Sequence, residues 1–463
     1  MLGGAAVVAA LVVAVPTVVH VTSPRSADLG GIGVLRRGLP PVDSRTNSFD
    51  QDQAAERLLV GMSAAAVSGD EGAFLRAAAP VGPAARDRLR VLFRNLRALP
   101  LATITFARDL NRTFGVSAGT GGAITLPVTA TYRLKRWDSA PVQVALQFVV
   151  APSGGALGVV EERTVADGAA ERLEPWLFAD LAVVTKPHVL VLGERRNSAR
   201  VQRLATTLER LVADVRRVWP ERTWNARVVV YAMTDTAFVR SWYGRTAAGD
   251  EGNDDKASFV AKVATLSLAG DDQRSRTSAV RMVVTPYLLE QAEPTEYVEI
   301  LRHEMTHVAT AGLTPGLPAW LVEGAADYTG YTRRTRAGAL DVPATFARRS
   351  RAAASLASMQ RGTWRPRLAR GADLYRGSED AVDGAYDSAF VTCLYIADRY
   401  GESALRRLYE RAGQIAWQNR LQPQVTAITE EAALRTVLRT DRKRLIKQVA
   451  AFATRLRRHP AVR

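Results

Sequence analysis

The sequence predicts an α+β protein with more than one domain, and three features support that class. The chain has 463 residues, which is more than a single hydrophobic core usually holds. Hydrophobic residues make up 47% and charged residues 23% of the chain, a balance typical of globular rather than disordered proteins. Helical and strand periodicities come in separate blocks instead of alternating regularly, which is the pattern of α+β folds.

The chain opens with an apolar segment. Residues 1–24 contain no Asp, Glu, Lys or Arg, and Leu2 to Val21 matches the length of a helix that spans a hydrocarbon core. A signal peptide would begin with charged residues and end at a small-x-small site, and neither is clear here. We therefore expect a transmembrane anchor over residues 1–24, with a cleaved signal segment as the alternative. A linker rich in Gly, Pro and Ser should follow over residues 25–48.

Positive charge bears on the orientation of this anchor and on the partners of the chain. Arg25, Arg36 and Arg37 follow the span and favour a cytoplasmic side for the domains. A longer natural N-terminus with its own basic residues would reverse this preference. We expect a single-pass protein of the cell membrane with extracytoplasmic domains, and leave the orientation open.

The net charge of +16 comes without any nucleic-acid-binding signature, so no nucleic acid is expected as a partner.

The first predicted domain covers residues 49–180 and places helices before strands. Its third strand-like run alternates apolar residues such as Val144 and Leu146 with Gln143 and Gln147. Three helices on a curved antiparallel sheet give an α+β layout, which resembles the NTF2-like cone through the order of its elements. The helices are predicted over 51–68, 71–78 and 83–99, and the strands over 102–110, 123–134, 141–150 and 157–165.

The second predicted domain covers residues 186–463. Its first part, residues 186–292, combines a long helix capped by Ser198 with strands over 188–192, 227–231, 258–268 and 279–285. Residues 245–256 are polar and read as a loop. Helical patterns dominate residues 293–463, where Cys393 lies in an apolar run and is expected in the core.

The segment from His303 to His307 carries the chemistry of the chain. It reads His-Glu-x-x-His, and a helix places the two imidazoles one turn apart on the same face, where they can bind one ion. Glu304, between them, points near the open coordination position. Thr295 can cap this helix. A separate apolar stripe, which includes Leu301 and Met305, would dock the helix on the sheet. The chain has five histidines, and two of them fall at ligand spacing.

A third ligand is predicted on the next helix. Glu323 lies sixteen positions after His307, beyond a Pro-Gly turn and at the start of a helix placed to run back past the first. Zinc in hydrolases commonly takes two His, one Glu and a water molecule. Asp327 is one turn beyond Glu323, where its carboxylate can accept the Nδ1 proton of a ligand histidine. The alternative for Asp327 is a solvated helix residue.

The run from His303 to Tyr328 resembles the gluzincin metallopeptidases of the MA clan. It reads His-Glu-x-x-His and then Pro-x-Trp-Leu-x-Glu-Gly-x-Ala. The short interval between the second His and the Glu matches the compact bacterial "peptidase MA-like" proteins. The resemblance implies a mixed sheet followed by a helical half, with Zn²⁺ held by His303, His307 and Glu323. It also implies Glu304 as the general base in the hydrolysis of a peptide or protein substrate. The aminopeptidase signature Gly-x-Met-Glu-Asn is absent, so aminopeptidase activity is not implied.

The resemblance also implies a tyrosine that stabilises the oxyanion, and three positions compete for that role. Tyr386, at the predicted start of a helix, is the first candidate, and Tyr328 and Tyr331 are the others. The strand over 279–285 is expected to bind an extended substrate by strand addition. A catalytically silent peptidase-like protein that binds or scaffolds at the cell envelope is the main alternative function. A cell-surface protein that binds an anionic polymer is a weaker one, supported by charge alone.

Overall fold

The computed structural model describes residues 44–78, 83–109, 115–116, 124–153, 156–164, 173–220, 224–243, 261–268, 276–290, 294–350 and 356–459. The described chain up to residue 164, without 136–140, forms one compact unit, and 136–140 with the residues from 173 onward form a second. Both units combine helices with a sheet, which confirms the predicted α+β class. The predicted anchor over residues 1–24 lies outside the described residues. Among those described, no helix is both long and apolar enough to cross a membrane.

Three helices precede an antiparallel sheet in the first unit. Apolar residues at helical and at alternating spacing form its core, where the rings of Phe74 and Phe93, and of Phe106 and Phe148, are in contact. The elements are α1 (Ser44–Ser68), α2 (Glu71–Arg76), α3 (Pro83–Ala98), β1 (Leu101–Arg108), β2 (Gly115–Val116), β3 (Ile124–Leu134), β4 (Val142–Ser153) and β5 (Ala156–Thr164). The strand order is β1-β3-β4-β5, and β2 pairs with β3. Helix α1 begins at Ser44, inside the predicted linker, because no Gly or Pro interrupts residues 44–50.

The second unit opens with a mixed five-stranded sheet of order β6-β7-β8-β10-β9. Strands β7, β8 and β10 are parallel, and the two outer strands are antiparallel to their neighbours. The apolar stripe of the long helix α5 is buried as predicted, with Leu204 and Leu208 fully enclosed. The elements are α4 (Pro175–Phe178), β6 (Leu181–Thr185), β7 (Val189–Glu194), α5 (Ser198–Val218), β8 (Val228–Ala232), α6 (Thr236–Tyr243), β9 (Ala261–Leu268) and β10 (Arg276–Val284).

Three local predictions in this half are wrong. The strand over 279–285 is not an edge, because β10 pairs with β8 on one side and with β9 on the other. Its backbone groups are already used in the sheet, so β9 is the outermost of the described strands on this side. Ser198 is the first residue of α5 rather than its cap, since a short 3₁₀ turn over Arg195–Asn197 leads into the helix. The next long helix begins at Pro294, which fits the first helical position, so Thr295 is not its cap.

The rest of the second unit is helical. Helix α9 packs between α8 and α12. Two glycines of α9 allow its backbone to approach both neighbouring helices closely. A Cβ on Gly324 would lie 2.4 Å from the carbonyl oxygen of Ala389 in α12, and one on Gly330 would lie 2.9 Å from that of Glu299 in α8. The helices are α7 (Pro286–Glu290), α8 (Pro294–Thr310), α9 (Ala319–Tyr331), α10 (Val342–Ser350), α11 (Leu356–Arg361), α12 (Glu379–Tyr400), α13 (Glu402–Gln418), α14 (Val425–Ala433) and α15 (Arg442–Arg457).

Candidate metal centre

Two consecutive helices bring His303, His307 and Glu323 together. Leu301 and Met305 are fully buried in the core, so the imidazoles leave α8 from another face. The connection to α9 is tight, and Gly316 adopts the left-handed conformation there, with φ +82°. One potential ligand atom from each of the three side chains lies within 4.8 Å of the others. The structure therefore assembles a buried group that can hold a metal ion.

The three ligand atoms form a small triangle. The Nε2 atoms of His303 and His307 are 3.1 Å apart. The Oε2 atom of Glu323 is 3.5 Å from each of these nitrogens. This oxygen is buried and has no hydrogen-bond partner among the described residues. Buried carboxylate oxygens are normally satisfied, so an atom left in this state points to a cation at the centre of the triangle.

Asp327 fixes the orientation of one imidazole. Its Oδ1 atom is 2.8 Å from Nδ1 of His303, and both residues are buried. Because a carboxylate only accepts, Nδ1 carries the proton and donates it, which leaves Nε2 of His303 free to bind a metal. The structure thus places Asp327 behind His303 rather than in solvent.

Arg349 extends this contact into the helical core. Its Nε atom is 3.4 Å from Oδ2 of Asp327, and its Nη1 atom is 3.4 Å from Oδ1 of Asp387 on α12. Burial opposes the charge of Arg349, but Asp327 and Asp387 outweigh it and raise the pKa of the guanidinium. The Arg349 guanidinium therefore stays charged beside the carboxylates of Asp327 and Asp387.

Glu304 lies next to the triangle and is almost fully buried. Its Oε2 atom has no hydrogen-bond partner among the described residues. Burial raises the pKa of Glu304, although the neighbouring His303 and His307 act in the opposite direction. A carboxylate with a raised pKa and a free oxygen is suited to accept and return a proton.

The acid and base members of the triangle stabilise each other's charges. Burial disfavours ionised Glu323, but His307 and His303 outweigh it and lower the pKa of that carboxyl to about 2. Burial likewise disfavours the imidazolium of His303, yet Asp327 and Glu323 raise its pKa well above the usual range. In the absence of a metal, the group therefore attracts positive charge in the form of a proton.

The three tyrosines proposed from the sequence and a fourth, Tyr375, differ in what they contact. Tyr375 donates its hydroxyl hydrogen to Oε1 of Glu323 at 2.9 Å. Tyr386 packs edge-to-face on Tyr375, with ring centroids 6.4 Å apart, in a small apolar cluster. Tyr328 donates to Glu402, and Tyr331 packs against the aromatic ring of Phe390.

Sequence reasoning missed Tyr375 as a residue of the site. It follows a short 3₁₀ turn over Ala372–Leu374 and belongs to no helix or strand, so no periodicity relates it to His303. Its neighbours Asp373, Leu374, Arg376 and Gly377 form a mixed, irregular sequence that does not single it out.

Comparison of the chain with models of known protein families, with curated proteins and with solved structures finds no match.

Proposed function

We propose that this protein is a zinc-dependent peptidase, in which His303, His307 and Glu323 hold the ion and Glu304 is the general base. The observation that carries the proposal is the buried triangle beside Oε2 of Glu304, which has no hydrogen-bond partner among the described residues. A group of this composition can bind and activate a hydrolytic zinc, and it leaves one coordination position open. The resemblance of residues 303–328 to gluzincins supplies the reaction class.

The size of the triangle supports zinc as the ion. Zinc binds nitrogen and oxygen ligands at about 2.0–2.2 Å with tetrahedral geometry, so its ligand atoms lie about 3.3–3.5 Å apart. The separations of 3.1, 3.5 and 3.5 Å match this within a few tenths of an ångström. Two imidazoles and one carboxylate are also a donor set that zinc accepts, whereas Mg²⁺ and Ca²⁺ prefer oxygen ligands.

The side chains divide the work of hydrolysis between them. A bound zinc ion supplies a Lewis acid that polarises a carbonyl oxygen and makes water more acidic. Glu304 accepts the proton of the attacking water on its free oxygen and later passes it to the leaving amine. Asp327 holds His303 in the tautomer that leaves Nε2 available, and Arg349 contacts the other carboxylate oxygen of Asp327.

The developing oxyanion needs a further hydrogen-bond donor, and two tyrosines compete for that role. Tyr386 is the position that the resemblance implies. Tyr375 has its hydroxyl within 2.9 Å of a ligand residue, which favours it on distance. The finer fold proposal has three parts. The second unit is a gluzincin-type domain, from the same resemblance. The first unit is an NTF2-like cone, from the order of its elements, and residues 1–24 form a membrane anchor, from their apolar length.

The proposal is tested on the purified full chain by elemental analysis and by hydrolysis of labelled denatured casein. We expect about one zinc per chain, lost in His307→Ala. Glu304→Gln should keep zinc and fold but lose hydrolysis, since the base is removed and no ligand is. Glu431→Gln, at an exposed position on α14, is the matched control and should behave as wild type.

Each outcome has a distinct meaning. Wild-type protein that binds no zinc would refute the metal assignment. Hydrolysis that persists in Glu304→Gln would refute the mechanism. Bound zinc without hydrolysis of any peptide would favour the silent peptidase-like protein over the enzyme.

A further inference from the structure

A cavity lined by several arginines lies beside α8 and α9 and takes no part in the proposed hydrolysis. Its volume is about 210 Å³, and four arginines line it: Arg217, Arg302, Arg333 and Arg334. Asp214 is the one acidic residue among its lining residues in the described chain. The cavity is bounded by α5, by α8 and by the end of α9 with the residues that follow it.

Two of the four guanidinium groups have no hydrogen-bonded acceptor in the part of the chain that the structure describes. The closest nitrogens of Arg302 and Arg217 are 3.9 Å and 3.7 Å from Asp214, so one carboxylate serves both cations at a distance beyond hydrogen bonding. The Arg302 side chain is only 12% exposed, and its buried Nε atom has no partner among the described residues. A buried guanidinium in this state is costly unless an acceptor reaches it.

The other two guanidinium groups are held in place by acids outside the cavity. Arg333 forms an ion pair with Glu299, and Arg334 forms one with Glu402 at 2.7 Å. These contacts fix the two side chains at the wall of the cavity without filling it. Glu299 also pairs with Arg348, so its charge is divided between two arginines. The lining therefore keeps an excess of positive charge.

The geometry points to an anion site in this cavity, which binds a phosphate-type oxyanion through Arg302 and Arg217. Guanidinium groups match the oxygens of such an anion with paired hydrogen bonds, and the cavity has room for one phosphate group. Arg217 is 54% exposed and Asp214 39%, so the ligand enters from solvent past these two residues. This site stands independently of the proposed peptidase activity.

Occupancy of the site would affect helix α8 directly. Arg302 immediately precedes His303 in α8, and Arg217 lies in the last turn of α5. An anion that contacts both would connect α8, which supplies the two histidines of the triangle, to α5. A phosphate group in the cavity would therefore stabilise the second unit and hold the metal triangle in place.

The test is calorimetric titration of the full chain with inorganic phosphate in chloride buffer at constant ionic strength. We expect one phosphate per chain in both the zinc-loaded and the chelator-treated protein. Arg302→Gln and Arg217→Gln should each weaken binding at least about tenfold, because each removes a charge-assisted donor. Asp214→Asn should tighten binding, since the competing carboxylate is lost. Arg407→Gln, which removes an exposed arginine that contacts Ser403, should leave phosphate binding unchanged.

Thermal melting provides the second measurement. Millimolar phosphate should raise the melting temperature of wild type by about 2 °C or more and leave Arg302→Gln unaffected. General salt stabilisation would raise both equally, so only the difference counts. Equal phosphate affinity in wild type and Arg217→Gln would overturn the proposal, and so would binding that disappears when zinc is chelated. If Arg302→Gln does not fold, the half-exposed Arg217 position decides.

Discussion

Tyr375 and Tyr386 form a matched pair that separates ligand positioning from oxyanion stabilisation. Their rings are in contact, but the Tyr375 hydroxyl donates to Oε1 of Glu323. Phenylalanine at position 375 would leave that oxygen with one partner fewer, in a residue that is fully buried. A hydrogen bond to a charged group is worth about 1.5–3 kcal/mol, so zinc affinity should fall about 10- to 100-fold.

The assay has two parts because the two roles affect different quantities. Competition with a chelator of known affinity measures zinc affinity. Tyr375→Phe should bind zinc more weakly than wild type, and Tyr386→Phe should bind it with the wild-type affinity. Turnover at saturating zinc then measures the oxyanion role, and the tyrosine that supplies the donor should lose about 100- to 1000-fold in kcat. Equal zinc affinity in Tyr375→Phe and wild type would refute the reasoning on Glu323.

Three further predictions concern packing, buried charge and the N-terminus. Gly324→Ala should destabilise the second unit by about 1–3 kcal/mol in urea unfolding, because its Cβ would meet the Ala389 carbonyl at 2.4 Å. Gly312→Ala, where no atom lies within 4 Å of the added Cβ, is the control and should change little. Arg349→Met should cost about 3–5 kcal/mol, since it leaves the carboxylate of Asp327 without its cation; a loss below about 1 kcal/mol would contradict this ion-pair assignment. Removal of residues 1–43 should leave a soluble chain with α1 intact, whereas the full chain should fractionate with membranes.

Local sequence patterns predicted the metal triangle well because its parts are close in the chain. The two histidines are one helical turn apart, and Glu323 follows after a short turn, so few backbone conformations separate the three. Asp327 could be placed for the same reason, being one turn from Glu323. Periodicity also located the buried stripe of α5, which depends only on the spacing of its own residues.

Contacts between distant segments could not be predicted in this way. Strand β10 looked like an edge because its sequence does not show which strands pair with it, and β9 takes the outer position through its antiparallel ladder. Tyr375 contacts Glu323 although it lies 52 positions further along the chain, in an irregular segment. The cavity of four arginines depends on three separate helices, so each arginine looks like an ordinary surface charge in the sequence.

The charges of the buried side chains explain why the triangle favours a bound cation. Glu304, Glu323 and Asp327 are each at most 4% exposed, and the Arg349 guanidinium contacts Asp327. Three carboxylates beside one such cation leave an excess of negative charge in a region where buried charge is costly. The raised pKa of His303 is one response, since a proton on the imidazole offsets part of the excess. A divalent cation in the triangle offsets more of it while leaving both imidazoles neutral, so metal binding at neutral pH should displace that proton rather than add to it.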